Sequence, residues 1–340
     1  MLQISGLTWA VTIGVIVALL ALDLALAALR PHRVGFKEAT AWSVFYIAVA
    51  LAFGAWMWMA HGSEFGTEYL AGYIVEKSLS VDNLFVFVII MTTFAVPEEH
   101  QHKALTFGIL LALIMRAIFI ALGATLLSLF SFVFLLFGLL LIYTAVQLFR
   151  HRDEDPDVES NGVVRTAKRL LPVTEEYDEG KLVTKVDGRR MVTPLFIVLI
   201  AIGSIDLLFA LDSIPAVFGV TDVPFIVFAA NAFALLGLRA LFFLVAGLLD
   251  RLVYLSTGLA LILAFIGAKL ILHWAHTDIS PAIPEISTPV SLGVILVVLV
   301  VVTVASLLKT RKDPTLHAHA GSITGHKRAE QEAARPDQTP

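Results

Sequence analysis

Glu76, Lys77, Asp82 and Asn83 lie close together inside an otherwise apolar stretch running from about Leu70 to Ala95. An ionised side chain at hydrocarbon depth costs roughly 2.5 to 3.5 kcal/mol on insertion scales, so each one demands a partner or a task. A second apolar stretch, from about Thr193 to Phe218, carries Asp206, Asp212 and Ser213, with the same spacing between its two acids as between Glu76 and Asp82. With Asn231, these side chains form an all-oxygen donor set. Hard divalent cations such as manganese, magnesium and calcium take oxygen donors, and carboxylates at this depth can equally carry protons. Lys77, Arg116 and Arg239, also within apolar stretches, would offset part of the negative charge. The competing reading is a set of buried ion pairs that only fix helix register. Such pairs are rarely net stabilising, and a doubled motif is not expected for that purpose.

The spacing restricts how these groups can meet. On a regular helix, six residues turn the two acids of each pair by about 120° and separate them by about 9 Å along the axis. Seven residues nearly complete two turns, so Glu76 should share a face with Asn83, and Asp206 with Ser213. Pro215 cannot donate an amide and disfavours helical geometry at Ile214, which predicts a break just after Asp212 and Ser213 that would turn Asp212 and freed carbonyls toward an ion. The Glu76 stretch contains no proline, and whether it too is broken is left open by the sequence.

The elements that position these residues are membrane helices. Hydrophobic residues make up 58% of the 340 and charged ones 15%, and the mean hydropathy is +0.85, too apolar for a soluble domain. The near balance of 24 basic and 28 acidic residues gives no long basic arm, so nucleic acid is not an expected partner. The absence of cysteine excludes disulfides, thiolate catalysis and thiolate-held metals. No metalloprotease, serine-elbow or phosphate-loop motif is present, and no enzymatic activity or resident cofactor is expected.

Runs long enough to cross a roughly 30 Å core fall at about Leu7–Leu29, Ala41–Ala60, Leu70–Ala95, Lys103–Leu127, Phe130–Phe149, Thr193–Phe218, Val223–Leu249, Leu252–Trp274 and Pro289–Leu308. With the N-terminus outside, every basic residue of the connecting segments falls on the cytoplasmic side, and only Lys77, Arg116, Arg239 and Lys269 remain, all within spans. This asymmetry follows the positive-inside rule. The expectation is an all-α polytopic membrane protein of about nine transmembrane helices, N-out and C-in. Its parts are an N-terminal helix pair (1–69), a first three-helix repeat (70–149), a cytoplasmic loop (150–192), a second repeat (193–274), a last helix (275–312) and a disordered cytoplasmic tail (313–340).

The repeat rests on more than the paired acids. Met115-Arg116-Ala117-Ile118-Phe119 matches Leu238-Arg239-Ala240-Leu241-Phe242, and Phe137-Gly138-Leu139-Leu140-Leu141-Ile142 resembles Thr257-Gly258-Leu259-Ala260-Leu261-Ile262. An odd number of spans per unit makes the copies antiparallel, the arrangement by which many secondary transporters place a site near the midplane. The 150–192 loop, with its acidic run of Asp153, Glu154, Asp155, Asp157 and Glu159 and a turn at Asp187-Gly188, reads as a solvated linker, with docking of cytoplasmic partners as the alternative. Asp23, near the cytoplasmic end of the first span, is a candidate access point for the ion or an interfacial residue. Lys269 should snorkel to the outer surface.

The string Glu76-Lys77-Ser78-Leu79-Ser80-Val81-Asp82-Asn83-Leu84-Phe85-Val86-Phe87 closely resembles the TerC family of bacterial integral membrane proteins. So do Thr193-Pro194-Leu195-Phe196 and Asp206-Leu207-Leu208-Phe209-Ala210-Leu211-Asp212-Ser213-Ile214-Pro215-Ala216. The likeness runs from about Leu22 to Trp274. The family was named for tellurite resistance, and its Alx-like members are associated with manganese export and metal homeostasis at the plasma membrane. The resemblance implies Glu76, Asp82, Asn83, Asp206, Asp212 and Ser213 as ion-pathway positions. Relatives commonly carry a glutamate where this chain has Gly203, one carboxylate fewer. The leading expectation is a bacterial inner-membrane exporter of a divalent metal, Mn2+, as transported substrate. The alternative is a membrane scaffold of a tellurite-resistance or envelope-stress complex without transport of its own. An oxyanion transporter using Lys77, Arg116 and Arg239 is a weaker reading, because acids outnumber bases at depth.

Overall fold

With no water in the hydrocarbon layer, a long apolar run satisfies its backbone only by closing its own hydrogen bonds, which dictates helices. The computed structural model describes residues 5–29, 36–152, 161–174, 177–186, 189–245 and 252–312. The acidic run Asp153–Glu159, the Asp187-Gly188 turn, Arg30 and Arg33, the Asp250-Arg251 joint and the 313–340 tail lie outside the described residues.

The helices are α1 (Gly6–Leu29), α2 (Phe36–His61), α3 (Ser63–Thr93), α4 (Glu98–Leu129), α5 (Phe132–Arg150), α6 (Gly162–Leu170), α7 (Pro194–Phe218), α8 (Pro224–Leu235), α9 (Leu238–Val245), α10 (Leu255–Asp278) and α11 (Thr288–Lys312). Seven of them, α1, α2, α4, α5, α7, α10 and α11, are long and apolar enough to cross a membrane, and α8 with α9 forms a further candidate bent by 41°. α3, at 31 residues, is as long, but the charges it carries keep it out of that set. The result is an all-α polytopic membrane protein.

α3 runs unbroken from Ser63 to Thr93 and starts a single residue, Gly62, after α2 ends. The break expected at Pro215 does not occur. α7 continues to Phe218, because Pro215 falls in its last turn, where the ring removes only the bond to the Leu211 carbonyl. The Gly219 amide then closes on Pro215 O at 2.9 Å. The break lies one span later, between α8 and α9. Gly237 adopts φ +76°, and a Cβ there would come 2.6 Å from Tyr46 Cδ2, so glycine alone fits the turn.

Packing joins the two halves of the chain. α3 lies along α8, α4 along α7, and α5 along α10 most extensively of all. At the last of these contacts Gly138 and Gly267 face each other reciprocally. A Cβ on either would meet the other's carbonyl oxygen at 2.8 Å. Gly258, matched to Gly138 in the sequence comparison, packs instead on Val302 of α11.

The described parts of the 150–192 segment are docked on the helices rather than forming a solvated linker. Asn161 caps α6 by accepting from the Val163 amide at 2.9 Å, and α6 buries Val164 completely, in one cluster with Leu195 and Val198 of α7. Strands β1 (Val183–Val186) and β2 (Arg189–Val192) pair antiparallel, Val183 opposite Val192. Tyr177 donates to Phe94 O at 2.5 Å, Lys103 Nζ to Gly180 O at 2.8 Å, and Thr193 Oγ1 to Lys181 O at 2.6 Å. The module therefore ties together the ends of α3, α4 and α7. Its polar sequence hid these docking contacts, because they are made by backbone carbonyls and a few aromatic rings.

Candidate intramembrane charge site

Arg116, in the middle of α4, is fully buried and is the hub of the bundle interior. It forms an ion pair with Glu76 of α3. Its Nη2 lies 3.3 Å from Asp206 Oδ1 of α7, and its Nη1 donates to Ser213 Oγ at 3.2 Å. The Asn83 amide satisfies both its neighbours when its oxygen faces Arg116. It then accepts from Nη2 at 3.0 Å and donates to Leu79 O at 3.0 Å. One guanidinium thus joins both residues of the seven-residue pair on α3 to both residues of the corresponding pair on α7.

Asp212, displaced around α7 from Asp206 as its spacing requires, turns away from Arg116 and accepts from Thr144 Oγ1 of α5 at 2.8 Å. Asp82 lies within α3, but its side chain is outside the described residues. The six expected ion-pathway residues therefore divide as follows: Glu76, Asn83, Asp206 and Ser213 are gathered on Arg116, Asp212 is separate, and Asp82 is not placed. Among the described residues, no group of three or more histidine, aspartate or glutamate side chains is arranged as a ready metal cage.

The remaining charges find other places. Lys77 donates to Ala234 O at 3.0 Å, a carbonyl freed by the break between α8 and α9. It is a cation at a half-helix C-terminus, where the helix dipole favours one. Arg239 does not reach the central acids as expected. It pairs with Asp23 of α1 at 2.9 Å, because α9 follows the bend and points its first turn toward α1. Lys269 is only 8% exposed. Thr144 was missed by the sequence reading, since a lone threonine in an apolar helix carries no signal of its own.

Several buried polar atoms at this depth have no hydrogen-bond partner: both Glu76 carboxylate oxygens apart from the ion pair, Asp206 Oδ2, Arg116 Nε, Ser80 Oγ and both ends of the Asn231 amide. Buried polar atoms are otherwise satisfied in nearly all folded proteins. The unpartnered carboxylate oxygens of Glu76 and Asp206 could accept a proton or a further donor.

A family model described as "Integral membrane protein TerC family" matches residues 61–314. A membrane protein of Myxococcus xanthus, described only as uncharacterized, is 44% identical over 315 residues, covering 93% of this chain and 96% of its own length. A Mycobacterium tuberculosis membrane protein described in the same way is 44% identical over 319 residues, covering 90% of this chain and 80% of its own. A thylakoid membrane protein of Arabidopsis thaliana chloroplasts named TERC is 44% identical over 249 residues, covering 73% of this chain and 63% of its own. No solved structure matches the chain significantly. The family match begins at the end of α2 and ends just past α11, taking in Glu76, Arg116, Asp206, Asp212 and the 161–192 module: the chain belongs to the TerC family of integral membrane proteins.

Proposed function

We propose that this protein is a secondary transporter that exports a divalent cation, Mn2+ foremost, across the bacterial plasma membrane, through the site gathered on Arg116. The observation that carries the reading is that hub. A fully buried arginine holds Glu76 and Asn83 of α3 against Asp206 and Ser213 of α7, with carboxylate oxygens left over. Charge counting adds to it. Over α3, α4 and α7 together, the sequence carries four central carboxylates, Glu76, Asp82, Asp206 and Asp212, against Arg116 and Lys77, an excess of two negative charges along the proposed pathway. One divalent cation or two protons would neutralise them, so the arrangement favours electroneutral exchange of one for the other.

The finer architecture belongs to the same proposal. α3, the bent α8–α9 pair and the seven apolar helices make nine spans, N-out and C-in, with the 161–192 module inside the cell. The paired packing of α3 on α8, α4 on α7 and α5 on α10, with the matched motifs of the two halves, supports an inverted relation between α3–α5 and α7–α10, the arrangement that places a substrate site between repeats. An oxyanion substrate is disfavoured, because Arg116 and Arg239 already hold carboxylates and Lys77 holds a carbonyl. No catalytic activity and no resident cofactor are part of this reading.

The test is Mn2+, Ca2+, Mg2+ and Zn2+ flux in vesicles reconstituted with the protein, with and without a proton gradient and a clamped membrane potential. Glu76→Gln, Asp206→Asn and Asp212→Asn should each abolish a proton-driven Mn2+ flux that does not respond to the potential. Flux untouched by all three substitutions would sink the proposal. A second reading is favoured by the docked 161–192 module: a scaffold that recruits cytoplasmic partners in a tellurite-resistance or envelope-stress complex. In that case deleting the module would abolish the cellular phenotype, while the intramembrane acids would be dispensable.

A further inference from the structure

The 161–192 module is docked at the end of the bundle where α3 stops and α4 and α7 start. α7 runs for 25 residues from Pro194. At 1.5 Å per residue that is about 37 Å, so its first turn lies close to the edge of a roughly 30 Å hydrocarbon layer. α6 is fastened to this turn: its buried Val164 packs in one cluster with Leu195 and Val198, and Lys168 Nζ stands over the Phe94 ring, 4.9 Å from its centroid. α6 therefore lies at the edge of the bilayer rather than out in water.

The surface that α6 leaves uncovered combines two features. Val163 and Leu170, seven residues apart and so on one side of the helix, are 55% and 76% exposed. Arg165 and Arg169, one turn apart, are exposed as well, and among the described residues neither is paired with an acid. The hairpin is tied to the end of α6, the Val192 amide donating to Pro172 O at 2.9 Å. Farther along it, Lys185 stands directly opposite Arg190, both exposed and, among the described residues, without an acidic partner. Like charges placed opposite each other on paired strands are destabilising, which an external anion would relieve. Exposed apolar side chains beside unpaired cations make up a helix that lies in a membrane interface, the apolar residues entering the acyl boundary and the cations meeting headgroup phosphates.

We infer that α6, with the β1–β2 hairpin tied to it, is a docking surface for anionic phospholipid of the surrounding bilayer. Val163 and Leu170 enter the headgroup boundary, while Arg165, Arg169, Lys185 and Arg190 hold headgroup phosphates. An acidic protein would match the charges but leave the apolar pair unexplained, whereas lipid matches both. The inference does not rest on the transport reading. Only the choice of leaflet follows from the proposed orientation.

The chain has no cysteine, so a single nitroxide on Thr166→Cys, an exposed position of α6, reports on this helix while leaving its apolar pair and its arginines in place. The full-length protein is set singly into nanodiscs of phosphatidylglycerol or of phosphatidylcholine, and collision of the label with a water-soluble nickel complex is read by electron paramagnetic resonance. Collision should be about threefold or more lower in phosphatidylglycerol, and the difference should disappear at about 1 M salt, where the Debye length falls to about 3 Å. Arg165→Gln/Arg169→Gln should lose most of the shielding, and adding Lys185→Gln and Arg190→Gln should remove the rest. Val163→Ser/Leu170→Ser should lose it too. The thermal midpoint should not move in any of these variants, because every substituted side chain is exposed. Equal collision in the two lipids would overturn the inference. So would shielding by polyglutamate added to phosphatidylcholine discs that exceeds the shielding by phosphatidylglycerol, which would assign the surface to an acidic protein.

Discussion

Replacing Arg116 with methionine removes the charge while keeping much of the side-chain volume, and so isolates what the guanidinium does. Its partners are Glu76 in direct contact, Asp206 at 3.3 Å, Ser213 at 3.2 Å and Asn83 at 3.0 Å, all in a fully buried setting. Removing one side of a buried ion pair costs about 3–5 kcal/mol, because the partner charge is left without compensation. The lost hydrogen bonds are part of that figure rather than additions to it. At roughly 1.4 °C per kcal/mol for a chain of this size, the thermal midpoint of Arg116→Met should fall by about 4–7 °C. The triple variant Arg116→Met/Glu76→Gln/Asp206→Asn, with no charge left to compensate, should regain most of that loss, since neutral replacements of a buried ionic set often cost little. The assay is thermal denaturation of the purified protein followed by tryptophan fluorescence, with size exclusion reporting the monodisperse fraction. An Arg116→Met midpoint within about 2 °C of wild type, or a triple variant no more stable than the single, would refute the account of Arg116 as the hub.

Gly237→Ala places a Cβ against Tyr46 at a backbone φ of +76°, and should cost about 2–4 kcal/mol, read as a lowered thermal midpoint. Asp23→Asn and Arg239→Gln should each destabilise by about 1–3 kcal/mol, and the double variant by no more than the worse single, because the pair is mostly shielded from water. Glu285, outside the spans, is held below the usual carboxylate range chiefly by its hydrogen bond with His273. Its contribution is therefore present above the unfolded carboxyl range and disappears as pH falls through the lower folded value. Glu285→Gln should lower the midpoint at pH 7 by the equivalent of at most about 1 kcal/mol, since the pair is partly exposed, and the difference should vanish below about pH 4.

The sequence was informative where a single helix decided the outcome and less so where two helices had to meet. The seven-residue spacing alone placed Glu76 with Asn83 and Asp206 with Ser213, and each pair does share a face. Which arginine they would meet was not readable: Arg116 and Arg239 sit in matching pentapeptides, yet only Arg116 enters the site, because the bend at Gly237 redirects Arg239 to Asp23. Pro215 drew the expected break to the wrong helix, since proline in a last turn costs one bond whereas a glycine at positive φ permits a real change of direction. The described parts of the 161–192 module are polar in sequence yet docked in the fold, and that docking depends on segments far away in the chain.

The lysine on α3 has a consequence for how the protein is made. Lys77 gives up water for the Ala234 carbonyl, 157 residues further along the chain, and Glu76 and Asp206 share a guanidinium supplied by a third helix. When α3 leaves the ribosome none of these partners exists, and its three charges would cost roughly 7 to 10 kcal/mol in lipid on their own. As a span of the proposed nine-helix architecture, α3 would therefore not settle in the bilayer as an independent segment. On that architecture it would wait at the translocon or the membrane surface until Arg116 arrives and reach its final depth only after α8 has been synthesised, which predicts that insertion of the membrane domain is cooperative across the two halves of the chain.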